Sequence, residues 1–232
     1  MAAIKTARER AREELTREIK AEARRQLAAQ GAQQLSLRAV ARELGMVSSA
    51  LYRYFPSRDD LLTALILDAY DALGDAAEAA LAAAEAEGAD RRGRWRALAH
   101  AVRDWALAHP HEYALLYGTP VPGYAAPQET VAAAARVPLA LVALLREAVD
   151  AGTAPEAGTR VPEGELAAQL TAVADELSPG LPPAALARGI AAWTQVYGVI
   201  SFELFGHLVG SADPAGPFFS FVVEDVADSL GL

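Results

Sequence analysis

SLRAVARELGMVSSALYRYF, residues Ser36 to Phe55, is the stretch whose reading decides the fold. Leu37, Val40, Ala41 and Leu44 recur at spacings of three and four, so they share one face of a helix opened by Ser36. Gly45 stands where a helix end favours a left-handed residue without a Cβ. Ser48 is placed to cap a second helix that buries Leu51 and Phe55. That helix stops before Pro56, since the residue ahead of a proline resists helical geometry. Two helices joined by a short glycine turn make the helix-turn-helix, whose second helix enters the DNA major groove.

The outward residues of the second helix suit that task. Ser48, Ser49, Tyr52, Arg53 and Tyr54 offer hydroxyls and a guanidinium to phosphate oxygens and base edges, and Ala50 is small enough to let the helix sit deep. An ordinary helical hairpin in a core has the same helix-glycine-helix spacing, with its tyrosines half buried.

The run from Leu37 through Ala41 and Gly45 to LYRYFPSRDDLL resembles the N-terminal domain of TetR-family transcriptional repressors. The resemblance covers roughly residues 12 to 75 strongly and the remainder more loosely. It implies DNA contacts at Ser36, Arg38, Ser48, Ser49, Tyr52, Arg53, Tyr54 and Arg58. The expected organisation is an N-terminal arm over 1–14, a helix-turn-helix domain over 15–75, and a helical regulatory and dimerisation domain over 76–232.

Charge is divided along the chain in the same sense. The formal total is −9, yet residues 1–60 carry 12 basic and 8 acidic side chains, net +4, and the rest carries −13. A basic head on an acidic body is steered toward phosphate head first. Cysteine is absent, which excludes disulfides and thiolate metal sites. No apolar run approaches the ~18 residues of a membrane span, and the charged N-terminus is unlike a signal peptide, so a cytoplasmic protein with no membrane partner is expected. The bias toward arginine and alanine suggests a GC-rich bacterial genome.

Outward from the motif, Leu15, Ile19, Ala23 and Leu27 predict a first helix ending at Gly31 and packing on the helix-turn-helix. Arg8, Arg10 and Arg12 of the arm either reach DNA or are simply solvated, and Arg24 and Arg25 read as solvated surface. Ser57-Arg58-Asp59-Asp60 opens a long helix reaching Glu87. At 1.5 Å per residue it extends roughly 40 Å, long enough to join head to body as a lever. Asp90 caps a helix with the stripe Trp95, Leu98, Val102 and Trp105, closing at His109. Then come a short helix Pro110–Tyr117, a stiff proline-rich loop over 118–127, and a helix over about 128–151 with a kink expected at Pro138. A loop over 152–162 leads to a helix over 163–177 with Leu166, Leu170, Val173 and Leu177 inward. Every predicted element is helical, so the fold class is all-α.

The segment WALAHPHEYALLYGTPVPGYAAP, with Trp193 and His207 downstream, is similar to the C-terminal WHG domain of one branch of the family, which implies a regulatory domain without identifying a ligand. Leu186, Ile190, Trp193, Tyr197, Ile200, Leu204 and Leu208 form a helical seam from Ala184, with Gly189, Gly198 and Gly206 allowing close approach. Asp213-Pro214 is expected to start a last helix carrying Phe218, Phe221, Val222 and Val226. In the TetR family the corresponding pair forms a four-helix bundle with a second subunit. A homodimer is therefore expected, with Leu186, Ile190, Trp193, Ile200, Leu204, Phe218, Phe221 and Val222 at its interface; the alternative leaves both helices in the chain's own core.

Trp105, Tyr113, Tyr117, Tyr124, Trp193 and Tyr197 are candidates to line an apolar ligand pocket, with Phe202 nearby and polar contacts from His100, His109, Thr119, Gln195 or Glu203. Core packing is the stronger explanation of each of them when taken singly. His109-Pro-His111 lacks metal-ligand geometry, so no metal and no cofactor are expected, and His207 reads as an interface histidine. There is no phosphate loop, nucleophile elbow or His-x-Glu motif to suggest an enzyme. The expected function is a homodimeric repressor of palindromic operator DNA, released by a small-molecule inducer. The alternative is a helix-turn-helix activator, or a partner-dependent factor, that takes no ligand.

Overall fold

The computed structural model describes residues 6–154 and 161–232. Those residues form ten α-helices: α1 Ala7–Gln30, α2 Leu37–Glu43, α3 Ser48–Leu51, α4 Arg58–Ala86, α5 Arg91–Ala108, α6 Pro110–Tyr117, α7 Thr130–Asp150, α8 Gly164–Leu177, α9 Pro183–Leu204 and α10 Gly216–Leu230. No strand occurs among them, so the all-α expectation holds. No helix in the described residues is long and apolar enough to cross a membrane.

The helices collect into two compact units: the chain up to Asp71 with His109–Val131, and Ala72–Ala108 with Ala132–Leu232. The helix α4 belongs to both, passing from the first to the second at Asp71. This partition differs from a single boundary at residue 75, because α6 and the loop after it group with the helix-turn-helix. The turn Val121-Pro122-Gly123-Tyr124 explains part of this. Pro122 fixes the second position, Gly123 supplies φ +77° at the third, and Tyr124 N donates to Val121 O at 3.1 Å. Tyr124, Val121 and Leu115 thereby pack on the core of the first unit, where the Tyr124 hydroxyl bonds Thr63 Oγ1 at 2.9 Å.

That core is built by Ile19, Ala23 and Leu27 of α1, Leu37, Val40 and Ala41 of α2, and Leu51, Phe55, Leu61, Leu62 and Leu65. The first helix begins at Ala7, so residues 7–14 are helical rather than an arm; residues 1–5 lie outside the described residues. A capping box sets this start. Thr6 Oγ1 accepts from Glu9 N at 3.2 Å, while Glu9 Oε2 accepts from Thr6 N at 2.7 Å. Arg24 is not merely solvated either. It bonds Asp68 of α4 at 2.7 Å and Glu112 of α6 at 2.9 Å, and Lys20 joins the same Asp68 at 2.7 Å.

In the second unit the stripe Trp95, Leu98, Val102 and Trp105 of α5 is buried as the spacing predicts, and Asp90 Oδ1 caps Gly93 N at 2.7 Å. Trp95 Nε1 donates to the Val223 carbonyl of α10 at 2.8 Å. The guanidinium of Arg103 pairs with Glu203 of α9 through bonds of 2.6 and 2.8 Å, which hold its pKa above the ordinary arginine value. Pro138 lies inside α7. At Gly189 of α9 a Cβ would collide with Leu145 of α7, so that glycine serves close approach; at Gly198 nothing stands in the way.

Four expectations for this unit are corrected. In α8 only Leu170 and Ala174 are buried, while Leu166, Val173 and Leu177 are exposed, because the helix touches α9 along a narrow stripe. The loop ahead of α8 is described only outside 155–160. The helix α9 stops at Leu204, short of Leu208, where Gly206 turns the chain with φ +78°. The helix α10 starts at Gly216 with Ala215 as its cap, three residues past Asp213. Finally, α9 and α10 pack on each other, and Leu186, Ile200 and Val222 are buried within this one chain, so they serve its own core rather than a subunit face.

Candidate nucleic-acid interface

The reading segment is held from beneath. Leu51 and Phe55 are buried in the first unit's core, which turns the intervening residues outward. The turn from α2 to α3 is closed by Met46 N to Ala41 O at 2.8 Å, with Gly45 at φ +64°. Ser36 caps α2 as expected, its Oγ accepting from Ala39 N at 3.4 Å. Ser48 does not cap α3: Val47 holds that position and Ser48 is the first helical residue. α-Helical geometry lasts only through Leu51. Arg53 N and Tyr54 N then bond carbonyls three residues back, at 3.3 and 2.8 Å. The last turn tightens because Pro56 bars Phe55 from continuing the helix.

Ser49, Tyr52 and Arg53 are exposed along this turn, Ser48 is half buried at its start, and Arg38 is exposed on α2. Tyr54 departs from expectation. It is half buried against the core, and the Arg12 guanidinium lies 5.1 Å above its ring, while Arg12 Nη2 reaches Arg53 O at 3.4 Å. Arg58 departs further, since its guanidinium is occupied by backbone. Nε donates to Leu35 O at 3.2 Å and Nη2 to Ala32 O and Gln33 O at 2.9 and 3.1 Å. Sequence reasoning passed over Val47, which is 69% exposed at the start of α3. The signal was a large apolar residue outside both helical stripes.

The six ligand candidates are divided between the two units. Tyr113, Tyr117 and Tyr124 fall in the first unit and Trp105, Trp193 and Tyr197 in the second. The Tyr113 ring is fully buried and packs against Tyr117, which meets Tyr70 edge-on. Burial, with the nearby Tyr124, pushes the Tyr70 phenol above its ordinary pKa, so it stays neutral. The second unit has two apolar voids with Leu141 and Trp193 in both walls. One, of about 20 Å³, is lined by residues including Val102, Val137 and Tyr197; the other, of about 110 Å³, lies along Pro138, Val173, Leu177 and Ile190. No polar candidate lines either. Glu203 is spent on Arg103, and the His100 ring packs edge-on to Phe219 at 5.3 Å. Trp193 Nε1 is shut off from solvent and has no hydrogen-bond acceptor among the described residues. These residues also contain no group of histidines and carboxylates able to hold a metal.

Comparison with known proteins decides the family. Residues 19–65 match the family described as bacterial regulatory proteins, tetR family, and residues 95–226 match the tetracyclin repressor-like C-terminal domain. The chain is 39% identical over 201 residues to the HTH-type transcriptional regulator Rv1816 of Mycobacterium tuberculosis, covering 84% of this chain and 83% of that protein. It belongs to the TetR family. This chain is thus a DNA-binding helix-turn-helix transcriptional regulator. The solved structure of SCO4313 is 38% identical with a TM-score of 0.77 over 95% of this chain and 98% of that one. A protein from Rhodococcus sp. RHA1 gives 28% and 0.65, covering 93% of each chain. PfmR from Thermus thermophilus, at 20% and 0.57 over 89% and 97%, shares the fold.

Within this TetR-family chain, the end of α9 and the outer face of α10 leave large apolar side chains in solvent. Phe202, Phe205, Val209 and Phe221 are exposed, Phe221 by 66%, with Phe218 beside them. Ile190 is exposed nearer the start of α9, while Trp193 and Leu204 are half buried.

Proposed function

We propose that this regulator is a homodimeric, cytoplasmic repressor of palindromic operator DNA, released by a small-molecule inducer. The observation that carries the DNA reading is the outward row Ser49, Tyr52 and Arg53 on a turn anchored by buried Leu51 and Phe55. Arg38, Ser36, Ser48 and Val47 complete the contact surface, with phosphate contacts from Arg38 and base contacts from the row itself. The exposed aromatic surface of α9 and α10 supports a dimer, because monomeric proteins rarely leave contiguous apolar surface uncovered. One helix-turn-helix makes too few base contacts for an operator, and two copies read half-sites a turn apart.

For the inducer, the two voids walled by Trp193 support a small, uncharged, mostly apolar molecule. No charged residue lines either space, and the one polar group in the shared wall is an indole N–H without an acceptor. An inducer with a carbonyl or ether oxygen satisfies that donor. To switch an operator usefully the inducer must favour one conformation by a few kcal/mol.

A second reading, a partner-dependent factor or activator without a ligand, draws on the size of the smaller void, about 20 Å³, which is room for one water. Footprinting the purified protein on random-sequence DNA enriched by its own binding, followed by release with neutral aryl ketones, separates the two. Release supports the inducer reading. Stable occupancy throughout, with recruitment of polymerase instead, supports the second.

A further inference from the structure

Arg58 is the first residue of α4, and it occupies the place at which the resemblance puts a DNA contact. Its surroundings point inward instead. Two of its guanidinium nitrogens hold three carbonyls of one short segment: Leu35 O at 3.2 Å, Ala32 O at 2.9 Å and Gln33 O at 3.1 Å. That segment is the single 3₁₀ turn Ala32–Gln34 between α1 and α2, followed by buried Leu35 and then by Ser36, the cap of α2. Carbonyls of a helical turn carry partial negative charge, and Ala32 O keeps a lone pair for Arg58 beside the bond it accepts from Leu35 N at 3.3 Å, so a planar cation with several fixed donors suits them. Among the described residues no carboxylate pairs with Arg58.

We propose that Arg58 is a positioning residue that ties α4 to the entry of α2, and that it makes no phosphate contact. The start of α4 is itself fixed, Ser57 Oγ accepting from Asp60 N at 3.1 Å. A shift of that helix therefore reaches the helix-turn-helix at two places: along the chain through Phe55–Ser57, and through the guanidinium to the residue before the α2 cap. The closed α2–α3 turn then carries the reading segment with it. The inference takes from the function only that α2 and α3 bear the DNA contacts, so it stands whether or not an inducer exists.

Affinity is measured for Arg58→Ala, Arg58→Lys and the natural protein, on a duplex enriched from random DNA by the natural protein and on a scrambled duplex of equal length. Each is titrated across a range of salt by fluorescence anisotropy, with melting curves recorded on the same samples. Both variants are expected to lose roughly tenfold on the enriched duplex, as charged hydrogen bonds are lost. Binding to the scrambled duplex and the slope of log K against log salt should stay unchanged. Lysine does not rescue, since a point charge cannot span three carbonyls.

Rescue by lysine, with alanine flattening the salt slope by about 0.9, makes Arg58 a phosphate contact and overturns the proposal. Equal loss on both duplexes with a lowered melting point reduces it to a general stabiliser, and unchanged binding in both variants removes it altogether.

Discussion

Tyr52 and Arg53 face solvent because Leu51 and Phe55 do not. A helical turn anchored at both ends by core side chains has no freedom to hide the residues between them, so hydroxyl and guanidinium are offered in a fixed direction. Replacing either Tyr52 or Arg53 with alanine should cost about 1–3 kcal/mol of affinity for the selected operator, and less on unrelated DNA, as read by anisotropy. Glu203 shows the opposite economy, half buried and paired to serve stability. Removing it in Glu203→Ala strands Arg103 and should lower the unfolding free energy by roughly 1.5–3 kcal/mol in urea titration. The exposed and buried faces at this scale were legible from spacing. The fates of single polar groups were not: Ser48 misses the cap by one residue, and Tyr54, Arg24 and Arg58 find partners far along the chain, which no local pattern encodes.

The elements themselves were largely written in caps and breaks. Asp90, Pro110 and Pro122-Gly123 set their boundaries by strictly local chemistry, and α5, α6 and the turn at 121–124 follow them. The start of α1 was missed because charge alternation over residues 7–14 resembles a solvated tail, whereas the Thr6–Glu9 box makes it a helix. The exposed side of α8 was missed because an amphipathic stripe shows what a helix can bury, while its neighbours decide what it does bury. The contact of α7 with α9 depends on Gly189. Gly189→Ala should press against Leu145 and cost about 1–3 kcal/mol, visible as a lowered melting temperature. If the melting temperature is unchanged, the close approach is softer than the packing implies.

For the whole molecule, the chain divides basic from acidic, and its uncovered aromatic residues gather on α9 and α10. Phe205→Glu with Phe221→Glu leaves the chain's own core intact, since both residues are exposed, and should convert a dimer into a monomer of 24.4 kDa by light scattering. Operator affinity should fall with it. A helical seam cannot distinguish a core from a subunit face, and of the α9 candidates only Ile190 is exposed. Leu186, Ile200 and Val222 therefore went to the core, while Ile190, Phe218 and Phe221 stayed outside. The proposed ligand site was the least legible feature, because its aromatic candidates fall in two units that the sequence does not delimit.

The most direct test of the central claim, that paired copies of Ser48–Tyr54 read the major groove, is dimethyl sulfate protection on the selected operator, because guanine N7 lies in that groove. Two symmetric clusters of protected guanines, about one helical turn or a multiple apart and lost in Tyr52→Ala with Arg53→Ala, are predicted. Full occupancy with every guanine N7 still reactive would contradict it.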